Sequence, residues 1–312
     1  MFFWSAAWNS ILSTLSIKIS FRRAYLYYWA GYFSDLVLLC ATLCGEITRL
    51  YLVQKYTKKG YGILAASAIT NRIVAYIIVT IGLYSGAILI FLKTGVLSFL
   101  SNLLVIFLVS VTGYFSFLIY LAFSKNAAQN LSILYLKILK TLRPKHYEKG
   151  KEAHIKASVT NYYKGFRKFR KNPKLLIKPL FLHSISYLLG LSVYVLIFYA
   201  IGIPSTPIFY VVIYIVATAV LDTIASFSVG SLEIILATIF IFYGLPLGVS
   251  GITALLVRSA GFWFPLFVGL VTVQIMGTRN SLAQNTILKK RSKKNAPIPQ
   301  SEFSSENSNA ID

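Results

Sequence analysis

Residues 73–92 read IVAYIIVTIGLYSGAILIFL, twenty residues without one Asp, Glu, Lys or Arg. A helix rising 1.5 Å per residue needs roughly 20 apolar residues to cross about 30 Å of hydrocarbon. The stretch is therefore a transmembrane helix in its own right, and others accompany it. Residues 94–124, 179–221, 234–257 and 259–278 are also free of charge, and 179–221 is long enough for a helical hairpin. A transmembrane β-barrel would show alternating segments of about ten residues instead. The expected fold is all-α: a polytopic transmembrane helical bundle of about seven to eight membrane segments, with room for broken or re-entrant helices.

Composition agrees. The chain has 312 residues, 56% of them hydrophobic and 13% charged, with 31 Lys+Arg against 9 Asp+Glu. Soluble domains carry about 25% charged residues. Apolarity and a net charge of +22 fit together in a bilayer, where the charge collects in loops and tails.

Four regions follow. Residues 1–124 hold N-terminal membrane helices, 125–178 a basic segment with an amphipathic helix, 179–277 C-terminal membrane helices, and 278–312 a polar basic tail expected to be disordered. Residues 1–17 are apolar but lack the positive start and cleavage pattern of a signal peptide, so they read as a partial first helix. A second helix is expected over 24–45. Leu50–Val53 and Tyr56 suggest a short surface helix, followed by helices over 62–92 and 96–123. Segments at 180–201, 207–227 and 232–243 come next, and a last one ends near Met276. Gly230 and the run Gly244, Pro246, Gly248, Gly251 mark breaks.

The 125–178 segment holds fifteen Lys/Arg and two acids. Leu131, Leu134, Ile138 and Leu142 recur at helical intervals. Tyr162, Tyr163, Phe166 and Phe169 interleave with cations, a mixture that RNA binders also use. The flanking spans make anionic lipid headgroups the expected partner of Lys125–Lys178, and no nucleic acid is expected. A topology signal alone would also account for it. By the positive-inside rule, 125–178 and the tail belong in the cytoplasm of a multi-pass cell-membrane protein. One conflict arises: if 24–45 spans, Lys18, Arg22 and Arg23 fall outside.

Cys40 and Cys44 would share one face of a continuous helix, which cannot close them into an ordinary disulfide; small-residue packing is their expected role. No metal pattern and no phosphate-binding loop occurs, so no cofactor is expected. His146, His154 and His183 carry no partner pattern, and His183 reads as a hydrogen-bonded or interfacial histidine.

Charges inside the apolar runs are costly, about 2.5–3.5 kcal/mol each at a helix centre. Asp35, Arg72, Asp222, Glu233 and Arg258 are of this kind. Arg72 also reads as an edge marker, and Glu233 as a helix cap. Glu46 precedes Arg72 by twenty-six residues and Glu233 precedes Arg258 by twenty-five, a hint of internal duplication. Two acid–arginine sets lining a cavity would suit a zwitterionic or phosphate-bearing headgroup; equally, they would pair with each other and hold the bundle.

Gly45-Glu46-Ile47-Thr48-Arg49 resembles the signature of a flippase-like membrane family that includes the transmembrane region of lysylphosphatidylglycerol synthase. Ala65–Arg72 resembles its next segment, with Asn71 where an acid is usual, and Ala41 stands where a proline is usual. Gly230-Ser231-Leu232-Glu233, then Gly244, Ala254–Arg258, Trp263 and Pro265 resemble its C-terminal pattern. The resemblance implies movement of a phospholipid or lipid-linked glycan between leaflets. Asp35, Glu46, Arg49, Arg72, Asp222, Glu233 and Arg258 would then line the path. No aminoacyl-transferase domain follows in these residues, so headgroup modification is not implied and an enzyme is disfavoured. The alternative is a non-transporting subunit or anchor for a cell-envelope glycosyltransferase or lipid-modifying enzyme. Membrane-embedded transferase chemistry would need an acid in a wet cavity beside a lipid phosphate.

Overall fold

A computed structural model describes residues 1–38, 43–94, 99–124, 149–203, 230–242 and 244–277. Among the described residues there is no strand; the ordered elements are helices. In chain order they are α1 (Phe2–Thr14), α2 (Phe21–Val37), α3 (Leu43–Thr57), α4 (Tyr61–Thr94), α5 (Phe99–Phe123), α6 (Lys149–Lys171), α7 (Ile177–Ala200), α8 (Ser231–Phe242) and α9 (Leu247–Arg258). A π-helical turn, Ser259–Trp263, follows α9. The chain divides into Met1–Leu270 and Val271–Asp312; of the second unit, 271–277 is described and helical.

Among the described residues, three helices are long and apolar enough to cross a bilayer: Tyr61–Ile88, Pro173–Ala200 and Leu247–Gly277. The expected segment at 207–227 and the amphipathic run at 131–142 lie outside the described residues, as do Asp222 and the tail.

The N-terminal third departs from expectation. The second helix is not continuous over 24–45. α2 stops at Val37, Leu38 turns extended, and the chain restarts as α3 at Leu43. The two helices pack on each other as a hairpin. The cause is a close crossing at two glycines. A Cβ on Gly31 would sit 2.7 Å from the Gly45 carbonyl oxygen. Asp35 then caps the new helix, accepting the Gly45 N–H at 2.7 Å, one of the first-turn donors with no acceptor inside α3. The break also removes the premise that Cys40 and Cys44 share a helix face. Cys44 is disulfide-bonded, against the expected role in small-residue packing; Cys40 lies outside the described residues.

In the hairpin α2 leaves and α3 returns to the same end, so Arg22 and Arg23 share that end with Lys58 and Lys59. The Arg23 guanidinium lies 4.0 Å from the Tyr56 ring. The short surface helix expected near Leu50 is instead the buried-faced α3, with Arg49 and Val53 inside.

One apolar cluster fixes that end. Leu15, Ile17, Tyr28, Val53, Leu64 and Phe169 join the end of α1, the start of α2, the end of α3, the start of α4 and the end of α6. α6 lies against α4 through small residues: a Cβ on Gly165 would be 2.9 Å from the Ala66 Cβ, and one on Gly62 would strike the Ser158 carbonyl. Lys168 Nζ donates to the Thr14 carbonyl, and Tyr163 OH to that of Ser124, just past α5. The cationic groups around Lys18, Lys58 and Lys164 thus flank a single end of this unit, called here the basic end. α1, thirteen residues and about 20 Å long, is too short to span. It seats Trp8, Ile11 and Leu12 in the same cluster, with Trp8 Nε1 donating to Ser67 Oγ at 3.3 Å.

At the other end, α8 and α9 form a second hairpin. Its turn carries Gly244 at φ +89°, a left-handed backbone that glycine adopts without penalty. The hairpin packs on the far half of α7. Tyr194, Phe198, Leu236, Phe240, Ala254 and Val257 make one cluster, and the rings of Phe198 and Phe240 meet edge to face at 5.5 Å.

Candidate functional site

The first charged set gathers where α2, α3 and α4 meet. Glu46 lies in the first turn of α3, and Arg49 follows one turn later on the same face. Arg49 NH2 is 3.0 Å from Glu46 Oε1 and 4.0 Å from Asp35 Oδ2. Its Nε donates to the Gly45 carbonyl at 3.2 Å, and its guanidinium stacks 4.3 Å from the Tyr28 ring. Arg72, from α4, donates through Nε to the same Glu46 oxygen at 3.3 Å and through NH1 to Tyr76 OH at 3.1 Å. Arg49 is 5% exposed, so its charge is balanced inside the protein rather than by water. Two acids and two arginines make the set neutral.

The second set is smaller. Glu233 Oε2 accepts the Gly230 N–H at 2.8 Å, the back-bonding half of a capping box at the start of α8. Its other oxygen accepts from Arg258 Nε at 3.0 Å. Arg258, 7% exposed, stacks 4.1 Å from the Phe262 ring within the π turn. Such turns recur at functional positions in helices.

The sets repeat one plan. In each, a short helix carries the acid in its first turn, a turn follows, and an arginine sits eleven residues into the next helix, counted from Tyr61 or Leu247. In each, Arg Nε meets Glu Oε1, and an aromatic residue four positions on contacts the guanidinium, Tyr76 through its hydroxyl and Phe262 through its ring face. The senses are opposed: α3 runs toward the basic end, whereas α8 runs away from it, ending beside Phe198 near the end of α7. Arg72 stands twelfth in the 28-residue candidate span Tyr61–Ile88, and Arg258 twelfth in the 31-residue span Leu247–Gly277; each arginine thus falls in the middle third of its span.

The structure brings together Asp35, Glu46, Arg49 and Arg72, and separately Glu233 and Arg258; Asp222 lies outside the described residues. α2 runs between them. Its Tyr28 backs Arg49, its Asp35 binds Gly45, and its Tyr32 OH donates to the Gly261 carbonyl at 3.3 Å. Tyr28, Tyr76 and Phe262 were not among the expected site residues, although Arg72–Tyr76 and Arg258–Phe262 are both at the i, i+4 spacing that puts side chains on one helix face.

Asn71, the departure from the family pattern, has a partner that spacing does not reveal. Its Oδ1 is 3.1 Å from His183 Nε2 on α7, and the imidazole abuts the Trp4 ring at 4.4 Å. His183 is 2% exposed, a buried tie between α4, α7 and α1 rather than an interfacial residue. Replacing His183 with Leu removes the partner of the buried Asn71 Oδ1, so a loss of about 1–3 kcal/mol in stability is expected. A thermal unfolding midpoint in detergent equal to that of the wild type would contradict this.

The ion-paired charges within long apolar helices define a helical membrane protein with charge held inside its bundle. Over residues 1–269 the sequence matches the family described as the lysylphosphatidylglycerol synthase TM region, and the chain belongs to that family. No curated protein and no solved structure matches it.

Proposed function

We propose that the protein moves a phospholipid or lipid-linked glycan headgroup across the cell membrane along its two charged sets, with the basic end in the cytoplasm. The observation that supports this most is the gathering of Asp35, Glu46 and Arg49 around Arg72, which lies midway along the candidate span Tyr61–Ile88. Ionisable groups there are expensive to hold. The oppositely directed second set, Glu233 with Arg258, adds to it, since transporters with inverted repeats place their substrate site near the midplane between the repeats. A headgroup bearing both a phosphate and a cation can trade partners with such a set: phosphate oxygens replace a carboxylate on an arginine fork, and the cation takes the freed carboxylate. Asp222 belongs to the same proposal as a further lining group.

The test is lipid movement in proteoliposomes with a fluorescent headgroup-labelled phospholipid. The Arg72→Gln/Arg258→Gln double variant is expected to lose movement at least tenfold while eluting as a folded species. Full activity in that variant would remove these residues from the path.

A second reading has one observation in its favour: in each set the acids and arginines already satisfy one another, which suits a structural clamp. The protein is then a non-transporting membrane subunit for an envelope glycosyltransferase or lipid-modifying enzyme. It predicts a stably co-purifying enzyme and no lipid movement by the wild type.

A further inference from the structure

We propose that the basic end is a docking platform for the anionic phospholipid headgroups of the leaflet it faces. This is independent of whether the chain transports anything. Every lysine and arginine from Lys164 to Lys178 is exposed, and no Asp or Glu lies between Glu152 and Asp222. Separate parts of the chain add to this face: Arg22 at the start of α2, and Lys58 and Lys59 just beyond α3, are exposed too. The Arg23–Tyr56 and Lys168–Thr14 contacts tie these parts to α6 and its neighbours.

The arrangement of α6 identifies the occupant. A helix that binds a bilayer by insertion turns its apolar face to the lipid. α6 does the reverse, burying Phe166 and Phe169 against the protein and leaving cations outward. Its attraction is electrostatic and needs a dense negative partner. The starts of α4 and α7 share this end, so headgroups surround it as soon as those helices span. Ile177 and Phe181, 62% and 63% exposed, sit beside Lys174 and Lys178. Apolar side chains open to lipid tails thus adjoin cations at headgroup level. Each such cation near an anionic surface contributes about 1 kcal/mol, roughly fivefold in affinity.

The experiment places the full chain in nanodiscs of phosphatidylcholine mixed with phosphatidylglycerol and measures, by native mass spectrometry, the lipids retained on release. Wild type is expected to retain phosphatidylglycerol above its share in the disc, and raised salt during release to erase the excess. The Arg167→Gln/Arg170→Gln/Lys171→Gln variant is expected to cut the excess by more than fivefold, with its unfolding midpoint in pure phosphatidylcholine discs unchanged. Two results would overturn the proposal: no excess in the wild type, or an excess that survives high salt. The salt series uses wild type alone, so it decides even if the variant fails to fold.

Discussion

Gly45→Ala is expected to abolish the α2–α3 hairpin and with it most of the protein's stability. A Cβ at Gly45 has nowhere to go: it meets the Asp35 carboxylate and the Gly31 carbonyl oxygen. One is held by the capping bond that starts α3, and the other is backbone. Neither can yield by rotating a flexible side chain, so α2 and α3 must separate. Overpacking a tight contact costs typically 1–3 kcal/mol and more where backbone must move. Here separation also pulls Arg49 off Tyr28 and Asp35, so a loss of about 3 kcal/mol or more is expected. The control is Gly60→Ala, where an added Cβ meets nothing within 4 Å. Thermal midpoints of the two variants in the same detergent check this: Gly45→Ala far below wild type, Gly60→Ala level with it. Equal midpoints for the two would show that the glycine crossing does not hold the hairpin.

The same crossing explains what could and could not be read from the sequence. Long uncharged runs fix long helices, because hydrocarbon leaves the backbone no other partner than itself. The expected 62–92 and 180–201 helices accordingly return as α4 and α7 within a few residues. Ala24–Gly45 looked like one more such run. Its break is written in a relation between Gly31 and Gly45, fourteen residues apart, that appears only when two helices touch. Hydrophobic runs carry no information about which helices do. The acid–arginine pairs were legible for the opposite reason. A charge in an apolar run must find a counter-charge, and the recurring separations of Glu46–Arg72 and Glu233–Arg258 named the partners. What those separations could not give was direction. α3 and α8 have similar length and pattern, and their opposed senses depend on packing against Phe169 at one end of the unit and Phe198 at the other.

Arg49→Met is expected to cost about 3–5 kcal/mol, the range for removing one partner of a buried ion pair. Asp35 and Glu46 would remain with Arg72 as their counter-charge, and a carboxylate would be left inside the bundle without a cation. The size of the loss does not separate a clamp from a headgroup site, but a second substitution does. In Arg49→Met/Glu46→Gln the balance returns, one acid against one arginine, and Asp35 still caps Gly45. Stability should therefore recover relative to Arg49→Met alone, a coupling of more than about 1 kcal/mol between adjacent sites. If Glu46 and Arg49 act only as a clamp, any function of the protein should recover with stability. If a headgroup passes between them, lipid movement in proteoliposomes should stay lost in the stable double variant, since the exchangeable carboxylate and the fork of donors are both gone. Additive losses in the two single variants would mean that Glu46 and Arg49 do not compensate each other. The neutral four-residue set on which the proposed path rests would then have to be given up.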